Sequence, residues 1–195
     1  MTQRAHGTAI ATAIVAFALI APRSSAGVPP QDGQFQGQVV VAWLQTEAGP
    51  DRDMRLMERF AFRDPNGTEW SVPAGAVING ASIPRVLWTL VGSPFVGDYR
   101  RASVVHDHFC RVKTKPWQAV HRMFYDAMLA GGVSVSRAKT MYAAVYGEGP
   151  RWDSSGTPLR SGVRPMTVDE LGKLENWVKE TDPELAEIEA RVRTR

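Results

Sequence analysis

Between residues 98 and 147 the apolar side chains recur at helical spacing in three successive runs, separated only by Thr114-Lys115-Pro116 and Gly131-Gly132. The first run has Ala102, Val105, Phe109 and Val112 on one stripe, the second Trp117, Val120, Phe124, Ala127 and Met128. The third has Ala138, Met141, Tyr142 and Val145, with Ser136 as a capping residue and Gly147 past its end. Side chains at i, i+3, i+4 and i+7 share a helix face, so these stripes must be buried against one another. His121 falls inside the second stripe, between Trp117 at i−4 and Met128 at i+7. An imidazole on a buried face has to be hydrogen-bonded or liganded, because its ring nitrogens leave water behind.

That position draws attention to the histidines as a set. The chain has four. His6 lies near the N-terminus, and the other three fall between His106 and His121. At about 100° per residue, His106 and His108 take opposite borders of the first stripe, with Cys110 one turn beyond His106 on its side. Asp107 points off the stripe, where an ion pair with Arg111 at i+4 is available. His108, on the border away from His106 and Cys110, reads as a helix-surface residue. The pairing to expect is His106 with His121 across two facing helices.

The N-terminal half has a different pattern. Val39-Val40-Val41 and Trp43-Leu44 mark a strand within residues 35–46, and a second runs from Met54 to Arg63, with Phe60 and Phe62 on one face. Asp64-Pro65-Asn66-Gly67 is a turn, since Pro presets φ and Asn-Gly tolerates the positive φ that closes it. Glu69 to Pro73 returns. This predicts a small antiparallel sheet of about three strands. Residues 72–84 then hold two prolines, two glycines and an Asn outside regular structure, a shaped loop in which Asn79 and Ser82 form one wall of a site. Ser82 is also placed to cap a short helix over residues 85–91. The fold class is α+β: the sheet, then a three-helix cluster, then a charged helical tail.

Residues 1–26 combine a short basic start, an apolar run from Thr8 to Ala21, Pro22, and small residues at Ser24-Ser25-Ala26. That is the pattern of a secretory signal peptide, and the run is shorter than the ~20 residues a membrane span needs. The expected organisation is a leader at 1–26, a linker at 27–34, an α+β domain at 35–152, and a linker with a charged tail at 153–195. The expected location is periplasmic or secreted, without a stable membrane span after cleavage. The chain has 23 Lys plus Arg against 20 Asp plus Glu, and the leader contributes Arg4 and Arg23 to the former. The remainder is about neutral, so the basic balance does not point to nucleic acid. A cell-envelope component or envelope protein is the expected kind of partner. Cys110, the single cysteine, excludes an internal disulfide, so the core alone must hold the fold.

Five motifs carry a family resemblance: Val72-Pro73-Ala74-Gly75, Gly80-Ala81-Ser82-Ile83-Pro84-Arg85, Val105-His106-Asp107, Phe124-Tyr125-Asp126-Ala127-Met128 and Gly149-Pro150-Arg151-Trp152. In this order they resemble domain-of-unknown-function family 1353, found in bacterial and phage genomes, over roughly residues 35–152. The resemblance implies an α+β domain with the His-Asp pair at its centre and supplies no activity. This chain has Ile78-Asn79 where family members often have Thr-Asp, and His121 where they often have Asp.

Three chemistries fit the cluster. In a metal-dependent hydrolase, His106, Asp107 and His121 are catalytic residues and ligands, with Asn79 and Ser82 as binding residues and Cys110 nearby. Two imidazoles and a carboxylate suit zinc or another divalent metal and leave a position for activated water. In metal-independent hydrolysis, His106 is a general base; adjacent His-Asp followed by a cysteine has a local similarity to secreted phospholipases A2. In a non-catalytic envelope or interaction protein, the same residues form a structural hydrogen-bond network.

Overall fold

The computed structural model describes residues 33–45, 53–80, 82–91, 96–159 and 164–194. The expected leader lies outside the described residues. The fold is α+β, but the strand content is arranged as two small antiparallel sheets. One sheet has the order β1-β4-β5 and the other β2-β3-β6, from β1 (Gln34–Gln36), β2 (Val41–Trp43), β3 (Met54–Leu56), β4 (Phe60–Arg63), β5 (Glu69–Val72) and β6 (Val77–Ile78).

Each of the two long strands expected from sequence is therefore split, and its halves serve different sheets. At Gly37 the backbone turns with φ 84°, and a Cβ there would lie 2.8 Å from the Arg59 carbonyl oxygen. Only glycine permits that crossing. The complementary break falls at 57–59, between β3 and β4. Beyond it, β4 pairs with β1 at Phe35↔Phe62 and with β5 at Phe62↔Trp70. The turn between β4 and β5 follows expectation. Asp64 accepts the amides of Asn66 and Thr68 on one oxygen and the Trp70 indole N–H on the other, fixing turn and strand together. Within the expected loop, Val77–Ile78 forms β6 by pairing with β3.

Among the described residues six helices follow: α1 (Arg85–Val91), α2 (Arg100–Val112), α3 (Trp117–Ala130), α4 (Val135–Glu148), α5 (Val168–Thr181) and α6 (Leu185–Arg193). Their starts differ in detail from the expected caps. Ser134, not Ser136, precedes α4, and Ser82 turns its hydroxyl to His106 rather than to the first turn of α1. Helix α2 is the centre of the molecule. It packs on α3 along one side and on β4, β5 and β6 along the other. Every residue from Ala102 to Cys110 is consequently buried. That corrects the surface placement of His108, which is 9% exposed and meets the Phe109 ring edge-on. A single apolar stripe underestimated how many partners surround this helix.

The charged tail folds back as well. Helices α5 and α6 lie on α4, burying Leu171, Leu174, Val178, Leu185, Ile188 and Val192. Gly147 sits inside α4 rather than after it, where the missing side chain admits Val192. Lys139 bonds Asp182 at 2.6 Å, and the Tyr142 hydroxyl donates to Glu189 at 2.7 Å. Among the described residues, no helix is long and apolar enough to cross a membrane.

Candidate functional site

The α2–α3 packing brings His106 and His121 together. His106 Nε2 lies 2.9 Å from His121 Nδ1, and both rings are fully buried. The His106 ring also meets Phe124, tilted, at 4.6 Å, and Trp117 meets His121 edge-on at 5.5 Å, so apolar rings surround the pair. The second nitrogen of His106, Nδ1, is 3.1 Å from the Ser82 hydroxyl. Cys110, one turn along α2, places its sulfur 3.5 Å from His106 Nε2. Ser82, His106 and His121 thus form a continuous polar chain, with the thiol beside its middle member.

Asp107 has a separate task. Its two oxygens accept the backbone amides of Asn79, at 2.8 Å, and Ser82, at 3.3 Å. The carboxylate clamps the turn after β6 onto α2, which is how Ser82 reaches His106. The Asn79 side chain extends the clamp by donating to Asp53 at 3.0 Å. The ion pair expected between Asp107 and Arg111 is replaced: Arg111 reaches the Val77 carbonyl at 3.2 Å. Two backbone amides occupy the carboxylate in place of the guanidinium.

A cleft of about 210 Å³ opens over this arrangement, lined by Asn79, Ser82, Asp107, Cys110, Arg111 and Pro150. The two buried histidines lie next to it. Sequence reasoning placed Asn79 and Ser82 here but assigned no part to Arg111, Pro150 or Asp53. The signal for Pro150 was the Gly149-Pro150-Arg151-Trp152 motif. Arg151 donates to the carbonyls of Tyr146 and Gly147 at the end of α4, while Trp152 donates to the Lys115 carbonyl. Those bonds fold the segment over His121. A Cβ on Gly149 would stand 3.1 Å from His121 Nε2 and 2.4 Å from the Val145 carbonyl, so glycine lets this seal close.

Burial dominates the electrostatics. Desolvation lowers His106 well below the ordinary histidine value, and neighbouring His121 lowers it further. Desolvation also lowers His121, to about 3, against a partial offset from the Pro150 carbonyl. That carbonyl nonetheless falls short of a hydrogen bond, and His121 Nε2 is left buried without a partner. Burial, with Asp107 close by, pushes the Cys110 thiol up, while the Ser82 contact acts in the opposite direction. At neutral pH the site holds two uncharged imidazoles and a protonated thiol. Neutral imidazoles are the form that binds a metal or accepts a proton.

Residues 54–145 match the profile of a family described as Protein of unknown function (DUF1353). Over this stretch the chain is similar to the DUF1353 family. The stretch takes in every strand from β3 onward and helices α1 to α3, with most of α4. Two proteins of Sinorhizobium fredii (strain NBRC 101917 / NGR234) are similar to the chain. The uncharacterized protein y4jT is 46% identical over 106 residues, covering 54% of this chain and 32% of that protein. The uncharacterized protein y4iH is 44% identical over 97 residues, covering 50% of this chain and 41% of that protein. The chain therefore matches less than half the length of either relative. No solved structure matches it.

Proposed function

We propose that the DUF1353-like domain of this chain is a metal-assisted hydrolase acting outside the cytoplasm, with His106 and His121 at its centre and the adjacent cleft receiving the substrate. The observation that carries this is the 2.9 Å approach of two buried imidazoles next to a cleft that Ser82, Asp107 and Cys110 line. A divalent ion, zinc by the nitrogen-rich donors, would supply Lewis acidity and an activated water there. Asp107 acts through the turn, holding Asn79 and Ser82 at the cleft wall. Ser82 in turn fixes the orientation of the His106 ring through Nδ1.

The cleft is smaller than the ~300–1,000 Å³ typical of drug-sized ligands. It suits the reacting end of a substrate rather than a whole large molecule. Arg111 lines it and is placed to anchor a carboxylate or phosphate, and Asn79 lines it as well. The apolar run and small residues of positions 1–26 support action in the periplasm or beyond, on an envelope component.

A second reading is favoured by one specific observation: both histidines are fully buried and neither lines the cleft. In that reading the Ser82–His106–His121 chain fixes the helix pair and the protein is a non-catalytic envelope component. Metal analysis of tag-free protein separates the two. Metal assistance predicts near-stoichiometric metal, a lower melting temperature in chelator, and chelator-sensitive turnover of simple ester, phosphoester or amide substrates. Metal-free protein whose melting is unchanged by chelator contradicts it.

A further inference from the structure

We infer that the third protein ligand of this site is Cys110, giving a His106–Cys110–His121 set that selects a thiophilic ion such as zinc. Asp107 is a positioning residue outside that set. The inference rests on the metal-assisted reading above and narrows it, since two imidazoles with a carboxylate would suit a harder range of ions.

Geometry separates the two ligand sets. Ligand atoms of His106, Cys110 and His121 all lie within 4.8 Å of one another. With zinc–nitrogen bonds of 2.0–2.1 Å and a zinc–sulfur bond of 2.3 Å, a tetrahedral site has a nitrogen–sulfur edge of about 3.5 Å and a nitrogen–nitrogen edge of about 3.3 Å. The Cys110 Sγ to His106 Nε2 separation is already 3.5 Å. The His106 to His121 separation of 2.9 Å must open by only about 0.4 Å.

The outer nitrogens fit the same assignment. Metal-bound imidazoles characteristically donate their other N–H to a neighbouring oxygen, which fixes tautomer and ring direction. His106 Nδ1 faces the Ser82 hydroxyl at 3.1 Å. His121 Nε2 is buried without a hydrogen bond and lies against Gly149. A metal between the rings would take the inner lone pair of each and leave the outer nitrogens to carry the protons.

Asp107 fails the same test. Both its oxygens are engaged by the amides of Asn79 and Ser82, so turning it to a metal would give up that clamp. Cys110 holds no backbone amide, its sulfur already faces His106, and it lines the cleft with Ser82, which leaves the cleft side for a fourth, exchangeable ligand. On binding, the sulfur–hydrogen bond breaks, a sulfur–metal bond forms, and the proton leaves to solvent.

The experiment loads tag-free full-length protein with cobalt(II) and records its absorption beside that of Cys110→Ser and Asp107→Asn. Melting of each metal-free variant serves as the folding control. The expected result is a near-ultraviolet thiolate-to-cobalt charge-transfer band together with tetrahedral d–d bands. Cys110→Ser removes the charge-transfer band and weakens zinc binding by more than the ~100-fold upper cost of losing an outer partner. Asp107→Asn retains the band. Cobalt bound with d–d bands but no charge-transfer band, and held equally by Cys110→Ser, overturns Cys110 as a ligand while leaving a histidine-held metal standing. Loss of bound cobalt in a folded Asp107→Asn restores the carboxylate to the set and also overturns the inference. No binding of cobalt or zinc by the parent protein removes both this ligand set and the metal-assisted reading.

Discussion

Replacing Asp107 with Asn or Ala should loosen the Asn79–Ser82 turn without emptying the core. The parent carboxylate accepts one amide at 2.8 Å and a second, weaker one at 3.3 Å. Hydrogen bonds to a charged acceptor contribute about 1.5–3 kcal/mol and ordinary ones about 1. Asp107→Ala loses both and is expected to cost about 3 kcal/mol. Asp107→Asn retains one carbonyl oxygen but turns an NH2 group toward the other amide, donor against donor, and should cost about 2 kcal/mol. Urea denaturation measures the loss, and amide exchange locates it: Asn79 and Ser82 should lose about 30-fold in protection, the equivalent of 2 kcal/mol. A variant within about 0.5 kcal/mol of the parent, with both amides still protected, would refute the clamp.

Other consequences can be checked beside it. In metal-free protein, His106, His121 and His108 all have lowered values, so the unfolded chain takes up protons on acidification before the folded one does. Stability should then be level above pH 6.5 and fall as pH drops from 6.5 toward 3, with His121 alone removing roughly 3 kcal/mol by pH 4.5. Urea midpoints flat from pH 7 to pH 4.5 would contradict buried neutral imidazoles. Ile188→Ala in α6 should cost about 2–5 kcal/mol as a fully buried truncation, measured by thermal or urea unfolding; an effect under about 0.5 kcal/mol would mean the tail is detachable.

The helical half was legible because its period is local: three apolar stripes, interrupted by Pro116 and Gly131-Gly132, give α2, α3 and α4 nearly as found. The burial of His121 followed from the same stripe. Its pairing with His106 needed only two facing helices. What the pattern could not show was the second side of α2. Period alone marks the strongest contact face, whereas β4, β5 and β6 cover the remainder, and so His108 and Asp107 were placed toward solvent. The division of the strands between two sheets was not legible for a related reason. Gly37 breaks a continuous β-rich run by a close approach to Arg59, which is distant in sequence. The tail's charges are conspicuous in the sequence, while its apolar positions find their partner only across the chain on α4. Cys110 stayed in the background because a single cysteine is usually a small buried hydrophobe, until distances placed it beside His106.

The most direct test of the central claim is a crystal structure of tag-free protein with zinc, with anomalous data collected at the zinc edge. A metal-centred site predicts one ion about 2.0–2.1 Å from both His106 Nε2 and His121 Nδ1, in place of the 2.9 Å contact between them. Retention of that contact, with no anomalous peak between the two imidazoles, would contradict it and leave the pair as a structural hydrogen bond.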